Sequence, residues 1–149
     1  AFTQQQAREG MAELDRIIAQ IAKDATAPEK MSPQFASLFA RENLRFLQNA
    51  NQYDPQKLAE SLPAKIRVLL LCGKKDVQAP CDSEKLLADA FRRGGNKGIQ
   101  FVELANVNHV FKEVEGVPNP ATDYTDPTKP FSREAERAIT DFIKSNIGD

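Results

Sequence analysis

The first part of the chain repeats apolar residues at intervals of three and four, which is the period of an α-helix. The series predicts an amphipathic helix over about 4–23, with a single apolar face. Two later pairs, Ser32-Pro33 and Asp54-Pro55, combine an N-cap side chain with a proline at the first helical position and predict further helix starts. We therefore expect residues 1–62 to be helical. The apolar positions of the first helix are Ala7, Met11, Leu14, Ile18 and Ile21.

The pattern changes at Ile66, where apolar residues become nearly continuous. The run 66–72 has the length of a strand buried on both faces, as in a parallel sheet, and 99–104 is a second segment of strand length. Between them, Asp82-Ser83 predicts the start of a helix that Gly94-Gly95 ends. A strand, a helix and a second strand in this order predict a right-handed crossover between parallel strands. The predicted fold class is therefore α/β.

The remaining segments predict an irregular stretch and one more helix. Residues 117–130 show no period and hold four of the nine prolines, and Ser132 is expected to cap a final amphipathic helix. Two strands are too few for a parallel sheet, whose faces and edges must be covered. We expect the sheet to continue in residues that precede Ala1, since the chain does not open with Met, or a second copy to supply the missing edge.

Composition and charge exclude several classes of protein. The 149 residues carry a net charge of −1, which argues against a strongly basic nucleic-acid-binding domain. No apolar run approaches the ~20 residues of a membrane span, and no signal peptide is visible, so the compartment stays open. Two cysteines and one histidine exclude a zinc ribbon, a histidine metal cluster and a disulfide scaffold. We expect no metal and no cofactor. Cys72 and Cys81 could pair, but we expect both to be reduced.

The polar residues that could carry chemistry follow the two predicted strands. Asp76 follows the first strand, and Asn108-His109 follows the second. Because working residues of open α/β sheets lie in loops at the carboxyl ends of the strands, these two loops should meet at one edge. A carboxylate beside an imidazole fixes its tautomer and stabilises the imidazolium. The pattern predicts an acid–base pair that needs a nucleophile, although either residue alone is as readily an ordinary turn aspartate or loop histidine.

The order of these segments resembles the C-terminal part of the α/β-hydrolase fold. The resemblance runs through Gly73-x-x-Asp76, Val77-x-x-Pro80, a helix, a strand, Asn108-His109-Val110-Phe111-Lys112 and a last helix. The triad of that family follows the order Ser, Asp, His. The resemblance therefore implies that Asp76 is the acid and His109 the base of a bacterial esterase-like serine hydrolase. It also implies a small-molecule ester or related acyl substrate, a helical cap or lid at 1–62, and the C-terminal part of the hydrolase core at 63–149.

Two departures from the family pattern bear on this expectation. Asn106 stands where the family usually has glycine, and asparagine is the next most tolerant residue of a positive φ. No Gly-x-Ser-x-Gly occurs, so the chain alone should be inactive and the nucleophile should lie upstream. The alternative is a non-catalytic α/β interaction or binding module that completes its sheet by oligomerisation through an exposed edge. The serines, all expected as caps or helix surface, are Ser32, Ser37, Ser61, Ser83, Ser132 and Ser145.

Overall fold

The chain divides into two compact units, of which one extends to Asp54 and the other begins at Pro55. The computed structural model describes residues 3–147. The boundary expected from the sequence, after residue 62, lies at the other end of the helix Pro55–Ser61. That helix belongs to the second unit because it packs on the helix Cys81–Arg93. None of the helices within 3–147 combines the length and the apolar character needed to cross a bilayer.

The first unit is helical, as its sequence pattern predicts. A capping box between Thr3 and Gln6 starts its longest helix, and Ala25 ends that helix in the left-handed conformation. The buried residues Ile17 and Ile21 of this helix pack against Leu44. The predicted apolar face is therefore wrong in part: of its five residues Ile21 alone is buried, whereas Met11 and Ile18 are exposed. The elements are α1 (Gln4–Asp24), α2 (Pro33–Ala36), a 3-10 turn (Arg41–Asn43) and α3 (Leu44–Ala50).

The second unit is a mixed α/β arrangement around two parallel strands. The strands pair in register from Val68 opposite Ile99 to Gly73 opposite Leu104, which confirms the predicted parallel pair. The helix between the strands packs on both of them, and the last helix contacts both as well. The elements are α4 (Pro55–Ser61), β1 (Val68–Gly73), α5 (Cys81–Arg93), β2 (Ile99–Leu104), α6 (Pro120–Asp123) and α7 (Arg133–Asn146).

Strand β1 starts later and is less buried than its sequence predicts. The carbonyl of Ile66 accepts a hydrogen bond from the Asn96 side-chain amide at 2.7 Å and so does not join the ladder. The first residue of β1, Val68, instead donates its N–H to Gly98. Only the last two residues of the strand are buried, so the expected burial on both faces is wrong. The reason is that β1 has a strand neighbour on one edge only within the described residues 3–147.

The helix starts differ in which side chain, if any, caps them. Ser132 accepts from the Ala135 N–H and caps α7 as expected. Helix α5 begins at Cys81 with Pro80 in the extended N-cap conformation, so the cap predicted at Asp82-Ser83 is wrong. Ser32 precedes α2, but its hydroxyl makes no cap bond. Residues 117–130, expected to be irregular, contain the single-turn helix α6.

The two cysteines form a disulfide, so the expectation that both are reduced is wrong. Cys72 is the penultimate residue of β1 and Cys81 is the first residue of α5. This placement brings their Cα atoms to 5.4 Å, which is within the range that a disulfide requires. The bridge closes the loop that leaves the carboxyl end of β1 and carries Asp76.

Candidate functional site

Asp76 and His109 meet at the carboxyl edge of the two strands. Asp76 lies in the loop after β1, which we call the acid loop (73–80), and His109 lies in the loop after β2, which we call the histidine loop (105–114). The Nδ1 atom of His109 lies 2.8 Å from Oδ2 of Asp76. The structure therefore brings together the two residues that the sequence pattern places after neighbouring strands.

The Asp76 side chain is buried, and main-chain N–H groups bind the carboxylate oxygen that does not contact His109. Its side chain is 8% exposed, and its Oδ1 accepts the N–H groups of Gln78 at 2.8 Å and Ala79 at 2.9 Å. Burial alone acts to raise the pKa of Asp76, but hydrogen bonds from the Ala79 N–H, His109 and the Gln78 N–H outweigh it and hold the pKa below its usual value. Asp76 is therefore an ionised acceptor at neutral pH.

We expect the side-chain carboxyl signal of Asp76 in carbon NMR to titrate below about pH 3.9, the value of an unperturbed aspartate. Because the pKa is lowered in the folded state, ionised Asp76 stabilises the fold above the pKa of the unfolded chain. That stabilisation is lost as the pH falls through the folded-state pKa. The same signal in the urea-unfolded chain gives the reference. A folded-state midpoint at or above the unfolded one would contradict this account.

A tight turn presents His109, and Asn108 organises that turn. The Asn108 side chain is buried, and its Oδ1 accepts the N–H groups of Val110 at 3.1 Å and Lys112 at 3.0 Å. Its main-chain N–H donates to the carbonyl of Lys112. Phe111 completes the turn with a φ of 59°. Asn106 does not adopt a positive φ, which among the described non-glycine residues belongs to Ala25 and Phe111 alone.

Main-chain hydrogen bonds hold the two loops against each other. The N–H of Lys74 donates to Leu104 at 2.8 Å, and the N–H of Lys75 donates to Val107 at 3.0 Å. The second bond needs Gly73, because a Cβ atom there would lie 2.0 Å from the Val107 carbonyl oxygen. The distance between Asp76 and His109 is therefore set by backbone contacts, and no flexible surface side chain is needed to maintain it.

Tyr124 is a site residue that sequence reasoning did not find. Its ring stacks beside that of His109, with centroids 6.3 Å apart and an interplanar angle of 29°. Its hydroxyl donates to the Gln78 side chain in the acid loop at 2.7 Å. The pKa of Tyr124 is raised above its usual value, mainly by burial and to a smaller extent by the negative charges of Asp76 and Asp123. The hydroxyl therefore keeps its proton at neutral pH. Nothing in the aperiodic segment 117–130 distinguishes this tyrosine in advance.

The arrangement leaves one ring nitrogen of His109 free for chemistry. An ionised Asp76 makes Nδ1 the donor, so the neutral ring carries its lone pair on Nε2. Within 3–147, no hydrogen bond reaches Nε2, and the His109 side chain is 45% exposed. A ring held in this way can accept a proton from a nucleophile that approaches Nε2.

The described serines do not supply that nucleophile. Ser61 and Ser145 donate their hydroxyls to the carbonyls of Leu58 and Phe142 on their own helices, and Ser132 caps α7. No serine among residues 3–147 makes a hydrogen bond to His109. In the same described part of the chain, one group of three metal-ligating side chains is present, and it includes neither Asp76 nor His109.

Comparisons with known proteins do not identify a family for this chain. No protein-family model matches it, and neither a curated protein nor a solved structure does. Function must therefore be inferred from the geometry of Asp76, His109 and their neighbours.

Proposed function

We propose that Asp76 and His109 are the acid and the general base of a serine-hydrolase site that acts on an ester or a related acyl substrate. The observation that carries this proposal is the 2.8 Å hydrogen bond from a half-exposed imidazole to a buried carboxylate. Two main-chain N–H groups hold that carboxylate in place. The order of the two residues along the chain, acid before base, is the order in the family that the sequence resembles. The nucleophilic serine belongs to residues outside those described.

In the proposed reaction, Nε2 of His109 takes the proton of the serine hydroxyl as the oxygen attacks the acyl carbon. The imidazolium that forms is stabilised by the Asp76 carboxylate, which keeps its own negative charge. His109 then donates the proton to the leaving group. A water molecule, activated by the same nitrogen, hydrolyses the acyl intermediate. The hydrogen bond from Nδ1 to Asp76 orients the imidazole, so that Nε2 keeps its direction through both steps.

The proposal is tested with the complete reading frame that encodes these residues. A fluorophosphonate probe should label one serine, which peptide mapping should locate in a Gly-x-Ser-x-Gly segment. The His109→Ala variant should lose labelling and ester turnover while its thermal unfolding midpoint stays close to that of the wild type, since the ring is half exposed. The 149-residue chain alone should hydrolyse no simple ester.

Two results would overturn the assignment. One is a complete protein that has no probe-reactive serine. The other is a His109→Ala variant that is labelled at the wild-type rate.

One observation favours a second candidate, a non-catalytic module that completes its sheet with another copy of the chain. β1 has no second strand neighbour among residues 3–147, and most of the strand is only partly buried. Unpaired strand edges are templates for further pairing. Sedimentation equilibrium of the isolated chain distinguishes the two candidates: a stable dimer without probe labelling of the complete protein favours the module, and a folded monomer counts against it.

A further inference from the structure

Three side chains with metal-ligand chemistry converge beside the acid loop. The sulfur atoms of Cys72 and Cys81 and a carboxylate oxygen of Glu103 all lie within 4.8 Å of one another. Cys72 and Glu103 are direct partners in the parallel ladder, and Cys81 is the first residue of α5. The cluster is therefore built on one residue from each of three regular elements, none of them on a free loop.

The chemistry of this donor set changes with its oxidation state. In the disulfide, neither sulfur is a thiolate, and thiolates are the form in which cysteines ligate metals. After reduction, the cluster offers two thiolates and one carboxylate, which is a donor set that zinc accepts in proteins. The small number of cysteines and histidines excludes a zinc ribbon, but it does not exclude a site in which a carboxylate is the third ligand.

We propose that reduction of the Cys72–Cys81 disulfide converts this cluster into a binding site for one Zn²⁺ ion, with Glu103 as the third protein ligand. A fourth tetrahedral position is left for water. This inference does not depend on the proposed hydrolase function, because neither Asp76 nor His109 is a ligand.

The backbone geometry is compatible with both states. Zinc–sulfur bonds of about 2.3 Å in a tetrahedron place two sulfurs about 3.8 Å apart. Rotation of the two cysteine side chains can provide this separation with the Cα atoms held at 5.4 Å. Among residues 3–147, Glu103 forms one ion pair, with Lys74 at 3.4 Å, and both side chains are about half exposed. Such exposed ion pairs are weak, so Glu103 can exchange the ammonium group for the metal ion.

The change of state balances as a two-electron exchange. A dithiol reductant gives two electrons and two protons to the Cys72–Cys81 bond and becomes a disulfide itself, leaving two cysteine thiols. Zinc then displaces the two thiol protons as it binds. The disulfide and the zinc complex exclude each other, and the same two cysteines bracket the acid loop in both.

The test uses the 149-residue chain reduced with a phosphine, freed of reductant under anaerobic conditions and titrated with Co²⁺. The expected result is cobalt–thiolate charge-transfer absorption that saturates at one equivalent and is abolished by one equivalent of Zn²⁺. The chain with its disulfide intact should show no such absorption. Zinc should also slow reoxidation of the reduced chain, because it holds both thiolates.

Variants of the ligands assign the site. Cys81→Ser should lose most of the absorption, and Glu103→Gln should weaken cobalt and zinc binding by at least about 10-fold, the lower end of the cost of disturbing even an indirect support of a metal ligand. Asp82→Asn is the matched control, since Asp82 is an exposed carboxylate next to Cys81 that lies outside the cluster. Far-UV circular dichroism checks that each variant folds.

Three outcomes would overturn the proposal. The reduced chain could show no one-to-one absorption. The oxidised chain could bind as well as the reduced one. Asp82→Asn could weaken binding as much as Glu103→Gln, in which case the third ligand is not Glu103.

Discussion

Replacing Asp76 with Asn is expected to lower turnover of the complete protein about 10,000-fold, which is the cost of the same change in a serine triad. The main chain dictates how the new amide is oriented. The N–H groups of Gln78 and Ala79 point at Oδ1, so the amide oxygen takes that position and the NH₂ group faces His109. An NH₂ donor at 2.8 Å forces the ring proton from Nδ1 onto Nε2. A protonated Nε2 cannot accept the proton of a nucleophile.

The tautomer gives a direct measurement of this effect in the 149-residue chain. Because the sequence has one histidine, nitrogen NMR of the ring is unambiguous, and the neutral ring should change from the Nδ1–H form to the Nε2–H form in Asp76→Asn. Asp126→Asn is the matched control: Asp126 also accepts main-chain and hydroxyl donors in a turn, from Thr128, but His109 makes its hydrogen bond to Asp76 and not to Asp126. An unchanged tautomer in Asp76→Asn, or full turnover of that variant, would contradict the assigned roles.

That Asp76 and His109 lie at the same edge of the sheet could be predicted from topology. Parallel strands have their carboxyl ends at one edge, so the two following loops are expected to meet there. The 2.8 Å contact between Asp76 and His109 depends in addition on the main-chain hydrogen bond from Lys75 to Val107. The position of Tyr124 could not be predicted in this way. It reaches the site through a turn fixed by Asp123, whose carboxylate binds the Asn119 N–H and the Lys129 ammonium group. Such a turn depends on side-chain contacts that leave no period in the sequence.

The same distinction separates the parts of the fold that the sequence predicts from those that it does not. Helix α1 and strand β2 have the bounds that their periodicity predicts, within one residue at each end. The start of β1 depends on Asn96, a residue distant in sequence whose side-chain amide donates a hydrogen bond to the carbonyl of Ile66. The disulfide depends on the distance between Cys72 and Cys81 in space, which their separation along the chain does not determine.

Gly73 has the sequence context of an ordinary turn glycine, yet in the structure it packs closely against the backbone of Val107. Gly73→Ala is expected to lower the free energy of unfolding of the second unit by about 3 kcal/mol, the upper end of the usual cost of overpacking. The added Cβ would lie 2.0 Å from the carbonyl oxygen and 2.6 Å from the carbonyl carbon of Val107. These are backbone atoms, so no side chain can rotate away. The Val107 carbonyl accepts a hydrogen bond from the N–H of Lys75. Displacing this carbonyl would break the hydrogen bond that joins the two loops.

Urea unfolding of Gly73→Ala measures the loss in free energy of unfolding. The same substitution at a second glycine, Gly10, shows whether that loss is a general effect of adding a methyl group. Gly10 lies inside α1, where the nearest atom to an added Cβ is a side-chain nitrogen at 4.0 Å. Gly10→Ala should therefore raise stability, by up to about 1 kcal/mol from helix propensity. A loss in Gly73→Ala together with a gain in Gly10→Ala would assign the cost to the contact with Val107. If Gly73→Ala instead retains both its stability and the Nδ1–H tautomer of His109, then the main-chain hydrogen bond from Lys75 to Val107 is not what holds Asp76 and His109 together.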